Sequence, residues 1–157
     1  MERLTIMGVP FLKIDQQNFV NLMLERIENK EKTFVVTANP EIVMAANENP
    51  ELKQYIEKAT YVTADGIGVV KAAKILGDEL PGRVTGFDTV MALFGAKKPM
   101  KVFLLGAQQD TLDKTVANIK ARRAFTISIA DTDHLEVADY FGIVSANSVK
   151  DKFKKSG

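Results

Sequence analysis

The sequence predicts an α/β domain in which helices cover both faces of an open, mainly parallel sheet. Apolar, β-branched runs at residues 33–37, 61–64 and 101–105 have the length of strands and no helical period, which is typical of strands buried on both faces. Amphipathic segments of about ten residues separate these runs. Glycine or an Asn-Pro pair follows each run, where a strand would give way to a helix. Alternating strands and helices predict parallel pairing.

Composition narrows the class of protein. The 157 residues are 46% hydrophobic and 26% charged, without a repeat or a linker, which predicts one globular domain over residues 1–157. A net charge of +1 gives no reason to expect a nucleic-acid partner. The absence of cysteine excludes a disulfide scaffold, a thiolate nucleophile and a Cys-ligated metal. No apolar stretch has the length of a membrane span and no signal peptide is evident, so we expect a cytoplasmic location.

The first half of the chain supplies clear boundaries. Residues 4–14 predict two short strands around Gly8, and Asp15 predicts the N-cap of a helix over 16–29. Pro40 predicts the first turn of another helix. Further helices are expected over 51–58, from about Gly66 to residue 76, and over 87–96.

The second half predicts a central strand over 101–105, a helix over 111–122 and a last strand over 125–130. After that, residues 131–133 predict a polar turn and a short helix is expected up to Phe141. The turn has the sequence Asp-x-Asp, a motif that can bind a metal ion, and we expect no metal there. His134 is the only histidine, so we expect it at the surface and not in a metal site.

Ligands of open α/β sheets bind beyond the carboxyl ends of the strands. Three predicted strand ends here have distinctive residues: Thr37 with Asn39, Asp65 with Gly66, and Gly106 with Ala107. Each has a plain structural alternative. Thr37 and Asn39 would cap a helix, Asp65 would cap the helix that starts at Gly66, and Gly106-Ala107 would form a tight turn instead of an anion site.

Arg83 lies in a loop with glycines on both sides. A guanidinium in that position would hold a diphosphate with two hydrogen bonds. A salt bridge to Asp88 is the structural alternative.

Four ordered segments resemble the TagA/TarA–WecG–CpsF glycosyltransferases, which form glycosyltransferase family 26. The likeness runs from about Leu4 to Arg122 and looks closest to the teichoic-acid branch. The segments are TANPEIV at 37–43, ADGIGVV at 64–70, RVTGFD at 83–88 and VFLLGA at 102–107.

The resemblance implies a Rossmann-like fold and a bacterial, inverting, metal-independent transferase without a cofactor. Such an enzyme would move N-acetylmannosamine from a UDP-sugar donor to an undecaprenyl-diphosphate-linked N-acetylglucosamine acceptor. By the same resemblance Asp65 matches the proposed general base. The substrate-binding positions fall on Thr37, Asn39, Gly66, Arg83, Gly106 and Ala107.

Residues 123–157 depart from the family pattern, which we interpret as a divergent or shortened ending after a core at 1–122. Such an ending would leave apolar surface uncovered, so a homo-oligomer is expected. It also leaves open a non-catalytic nucleotide-binding or assembly module of the same fold. The lysines at 150, 152, 154 and 155 predict weak, salt-sensitive contact with the inner face of the plasma membrane, or a solvated terminus.

Overall fold

The structure is a computed structural model, and it describes residues 1–96, 98, 100, 102, 109–121 and 142–144. The chain divides into two compact units, Met1–Leu93 with Phe141–Gly157, and Phe94–Tyr140. Among the described helices, none is both long enough and apolar enough to cross a membrane.

The first unit begins with an antiparallel hairpin. Strands β1 (Arg3–Ile6) and β2 (Val9–Leu12) are joined by Met7 and Gly8, whose φ angles are 48° and 81°. Two consecutive positive φ angles are the geometry of a two-residue hairpin turn. The predicted pair of strands around Gly8 is therefore confirmed.

Helix α1 (Gln16–Glu28) follows directly. The carboxylate of Asp15 accepts a hydrogen bond from the backbone amide of Asn18 at 2.9 Å, so the predicted N-cap is confirmed. The helix buries Phe19, Val20 and Met23, which recur at helical spacing.

Three further strands form a parallel sheet with the strand order β4-β3-β5. Strands β3 (Phe34–Ala38) and β4 (Tyr61–Ala64) match the predicted strands. Strand β5 (Gly142–Val144) pairs with β3 and was not predicted, because three residues are too few to show an alternating pattern. In the register of β3 and β4, Thr37 lies opposite Thr63.

Helices connect and flank these strands. Helices α2 (Pro40–Glu48) and α3 (Pro50–Glu57) lead from β3 to β4, and each begins at a proline behind an asparagine cap. Helix α4 (Ile67–Ile75) follows β4, and α5 (Gly86–Gly95) comes after a loop. In the second unit, α6 (Gln109–Ala121) confirms the helix predicted there.

Both faces of the β3–β4 pair are covered. Val36 and Val62 face a core formed with α2, α3, α4 and the hairpin. Val35 and Tyr61, one position away on each strand, face a second core that includes residues of α1 and α5. The α/β class is therefore confirmed for the described residues. The wider Rossmann-like sheet remains a prediction, because nearly all of residues 101–105 and all of 125–130 lie outside the described part.

Candidate active site

The candidate site lies at the carboxyl ends of β3 and β4. The backbone amide of Asp65 donates to the carbonyl of Ala38 at 3.0 Å, which continues the parallel ladder one residue past β4. Since side chains alternate along a strand, Asp65 follows Thr63 on the face that carries Thr37. The structure thus brings Thr37 and Asp65 to one edge of the sheet, as the sequence predicted.

Asp65 is held by the backbone of a distant segment. Its Oδ2 accepts a hydrogen bond from the amide of Gly86 at 3.3 Å, and the residue is partly buried. Helix α4 begins behind Gly66 with no side-chain cap. The alternative in which Asp65 caps that helix is therefore wrong. A carboxylate with one oxygen on a backbone amide is oriented and remains able to accept a proton.

Thr37 lies beneath the first residue of α5. The threonine is 1% exposed, and a Cβ built on Gly86 would lie 3.1 Å from its Oγ1. A Cβ at that distance is tighter than most Cβ contacts, so a residue with a side chain would require Thr37 or the start of α5 to shift by a few tenths of an ångström. Gly86 therefore contacts Thr37 and Asp65 together.

Asn39 serves as a helix cap. Its Oδ1 accepts a hydrogen bond from the amide of Ile42 at 3.0 Å, so the structural alternative for this residue is confirmed. The cap uses only the carboxamide oxygen, and the NH₂ group of the same side chain takes no part in it. The predicted role of Asn39 in binding substrate stays a prediction.

Gly66 makes the turn from β4 into α4. Its φ of 122° and ψ of 150° lie in a region that is essentially restricted to glycine. This turn brings the first residues of α4, Ile67 and Gly68, to the edge of the sheet beside Asp65, and both are exposed.

The segment 83–86 is fastened to the sheet and to α1. The amide of Val84 donates to the carbonyl of Ala64 at 2.8 Å. Gln16 accepts from the amide of Thr85 at 2.9 Å and donates to Oγ1 of Thr89 at 2.8 Å. The sequence did not predict this role of Gln16, because its partners lie 69 and 73 positions away and no local pattern marks them.

Arg83 is exposed at the start of that segment. Within the described part of the chain its guanidinium makes no ion pair, so the alternative salt bridge to Asp88 is not formed. The side chain is available to an anion from solvent.

Thr63 is the other buried hydroxyl at this edge. It is 0% exposed, and its Oγ1 has no hydrogen-bond partner among the described residues. An unsatisfied buried hydroxyl costs about 1–3 kcal/mol. Gly106, Ala107, His134 and the turn at 131–133 lie outside the described residues.

Comparison with known proteins gives the same assignment as the four segments. The model of the glycosyl transferase WecG/TagA/CpsF family matches residues 4–155, which extends past Arg122. Three relatives share the name N-acetylglucosaminyldiphosphoundecaprenol N-acetyl-beta-D-mannosaminyltransferase. The protein of Bacillus spizizenii is 31% identical over 76% of this chain, that of Bacillus subtilis 28% over 77%, and that of Staphylococcus aureus 34% over 71%.

The chain spans about half the length of these curated relatives, since each alignment covers 48% of the relative. The matched part includes β3, β4 and the segment 83–86, which together build the Asp65 site. The chain belongs to the WecG/TagA/CpsF family of glycosyl transferases.

Proposed function

We propose that this protein transfers N-acetylmannosamine from UDP-N-acetylmannosamine to undecaprenyl-diphosphate-linked N-acetylglucosamine, with inversion at the anomeric carbon. The names of the relatives support the transferred sugar and the lipid-linked acceptor. We place the site in a Rossmann-like fold at the inner face of the plasma membrane, where such an acceptor would be reached from the cytoplasm.

The observation that supports this function most is the position of the Asp65 carboxylate and the hydrogen bond that holds it. It lies beyond the carboxyl end of β4, held by the amide of Gly86 and not engaged in capping α4. Ligands of open α/β sheets bind at such edges. A fixed and partly exposed carboxylate there suits a general base, which must reach the proton it removes.

The transfer step has one bond formed and one broken. The hydroxyl oxygen of the acceptor attacks the anomeric carbon of the donor, and the bond from that carbon to the UDP oxygen breaks. Asp65 takes the proton of the attacking hydroxyl, so that UDP leaves with the electron pair. A general base contributes about 10²–10⁴-fold to such a rate.

The leaving diphosphate needs positive charge or N–H dipoles near it. We assign the exposed guanidinium of Arg83 and the uncapped start of α4 to this task. Gly106 and Ala107 would face the nucleotide, and Thr37 and Asn39 would complete the pocket. The proposed reaction uses no metal ion and no cofactor.

The direct test is UDP release from UDP-N-acetylmannosamine in the presence of a short-chain lipid-diphosphate N-acetylglucosamine. We expect release that depends on the acceptor, with a disaccharide product detected by mass spectrometry. Release of UDP without the acceptor, or no release at all, would contradict the transferase assignment.

Calorimetry with UDP distinguishes the alternative of a non-catalytic nucleotide-binding or assembly module. UDP binding that is weakened by Arg83→Ala, without turnover, would support that module. Lys74→Ala is the matched control, since it removes an exposed cation from the far end of α4. Light scattering of the same samples tests the expected homo-oligomer.

A further inference from the structure

The exposed face of helix α4 has an unusual composition. Ile67 is 57% exposed and Ile75 is 85% exposed. Lys71 and Lys74 are exposed as well. At 100° per residue, the two isoleucines and the two lysines share an arc of about 100° on one side of the helix.

The opposite side of α4 anchors the helix to the protein. Val69 and Ala73 are buried in the core shared with β3 and β4. The outer arc is therefore a fixed surface, on which large apolar side chains alternate with cations. Exposed apolar residues are common one at a time, but here two of them share one arc with two cations.

The charge on this surface has one sign. The sequence of α4, IGVVKAAKI, has no acidic residue. Neither Lys71 nor Lys74 forms an ion pair within the described ranges. The nearby carboxylate of Asp78 is bonded to Lys13 at 2.7 Å. The lysines of α4 are thus available to anions outside the chain.

We propose that the outer arc of α4 binds the surface of an anionic bilayer. The ammonium groups of Lys71 and Lys74 contact lipid phosphates, while Ile67 and Ile75 enter the headgroup layer. The two unpaired lysines supply the charge complementarity that distinguishes an anionic lipid surface from a purely apolar partner. The sequence predicted membrane contact only at the terminal lysines, because residues 1–123 show no pattern of a strongly basic amphipathic helix.

This contact also gives the bilayer a position relative to the site. Ile67 is two residues after Asp65, so the arc begins at the edge of the sheet that holds the carboxylate. A bilayer bound to α4 would bring a lipid-linked hydroxyl to that edge. This last step rests on the proposed function, whereas the binding itself does not.

Flotation with vesicles tests the proposal. The protein is mixed with vesicles of phosphatidylcholine alone, or of phosphatidylcholine and phosphatidylglycerol in equal parts. We expect binding to the anionic vesicles only. The double variant K71Q/K74Q should weaken it roughly 25-fold, at about fivefold per lysine. Ile75→Ser should weaken it roughly tenfold, through the lost apolar contact.

Matched controls remove the same charge and a comparable exposed apolar group elsewhere. K30Q/K32Q alters two exposed lysines before β3, and Tyr55→Ser alters an exposed side chain of α3. Each should change binding less than about twofold. Equal loss in K30Q/K32Q and K71Q/K74Q would overturn the proposal, as would parent-like binding by K71Q/K74Q.

Two further results distinguish bilayer binding by α4 from the catalytic assignment and from dimer formation. Asp65→Asn should bind the vesicles as the parent does, so a failure of the catalytic assignment leaves this test intact. A protein that ignores vesicles and forms a dimer that Ile75→Ser disrupts, as seen by analytical ultracentrifugation, would assign the arc to a second copy of the chain and overturn the proposal.

Discussion

The backbone amide of Gly86 donates a hydrogen bond to Oδ2 of Asp65 across 3.3 Å, and the two residues are 21 positions apart in the chain. The same glycine lies against Thr37, so one residue at the start of α5 contacts both strand ends. The position of the carboxylate therefore depends on how closely α5 approaches β3.

Gly86→Ala tests that close approach. The new Cβ would lie 3.1 Å from Oγ1 and 3.2 Å from Cγ2 of Thr37, so either Thr37 or α5 has to shift by a few tenths of an ångström. We expect a loss of about 1–3 kcal/mol in the free energy of unfolding, measured in urea. Gly95→Ala is the control in the same helix, because its Cβ would meet nothing within 4 Å. That control should be neutral or stabilising by up to about 1 kcal/mol. Equal effects of the two substitutions would contradict a close approach at Gly86.

Thr63→Val should stabilise the protein. The substitution removes a buried hydroxyl that has no partner among the described residues and leaves a side chain of similar shape. We expect a gain of about 1 kcal/mol on urea unfolding.

Thr89→Val is the contrasting variant for that measurement. Thr89 is also fully buried, but its hydroxyl accepts from Gln16 at 2.8 Å and donates to the carbonyl of Thr85 at 2.7 Å. Valine there should cost about 1–3 kcal/mol, since those two partners lose their bonds. If Thr63→Val destabilised as much as Thr89→Val, the hydroxyl of Thr63 would have to be satisfied.

Gly66→Ala tests the turn into α4. Alanine at φ 122° and ψ 150° is strained, which predicts a loss of about 1–3 kcal/mol in thermal or urea unfolding. Gly82→Ala introduces the same methyl group into open space, at a position without a left-handed φ. It should stay within about 0.5 kcal/mol of the parent. A silent Gly66→Ala would show that the turn relaxes without cost.

The ion pair of Lys13 predicts a pH dependence. Lys13 bonds to Asp78 at 2.7 Å and to Glu2 at 2.8 Å, and its hydrogen bond holds the pKa of Asp78 below the ordinary 3.8. The stability from Asp78 is therefore complete above pH 3.8 and is lost as the pH falls through the lower folded-state pKa. Asp78→Asn should lower Tm at neutral pH, and its difference from the parent should disappear in acid.

The hydrogen bonds to Asp78 and Glu2 raise the pKa of Lys13, which limits its contribution to stability at alkaline pH. Its contribution is complete below pH 10.5 and is lost as the pH rises through the raised value. Asp110→Asn is the control, because Asp110 is exposed and approaches Lys114 only at 3.9 Å. A Tm difference for Asp78→Asn that grew as the pH fell would contradict a lowered pKa of Asp78 in the folded protein.

Local patterns predicted the elements that local chemistry determines. Asp15 and Pro40 marked helix starts, because a carboxylate cap and a proline at the first turn act within four residues. Apolar runs predicted β3 and β4, because the pattern of each run is contained within the strand itself. Strand β5 was missed, since its pairing with β3 joins positions more than a hundred residues apart.

In the candidate site, too, local patterns predicted some features and long-range contacts determined the others. The sequence predicted Thr37 and Asp65 at one edge, because both follow from strand ends. It left open whether Asp65 caps α4, and the answer depends on Gly86, which approaches from a later segment. The link from Gln16 to Thr85 and Thr89 depends wholly on tertiary contact. Patterns in sequence therefore located the carboxylate but not the groups that orient it.

The role of Asp65 as the base is the central claim, and the acceptor-dependent turnover of Asp65→Asn tests it most directly. Asparagine can still accept the hydrogen bond from Gly86, so the site should keep its shape and its UDP affinity in calorimetry. Asp88→Asn is the matched control, because Asp88 is an exposed carboxylate in the first turn of α5.

We expect kcat to fall at least about 100-fold in Asp65→Asn, the lower limit of general-base catalysis, and to change less than about twofold in Asp88→Asn. Asp65→Asn with parent-like kcat, or an equal fall in both variants, would contradict the assignment of Asp65 as the base.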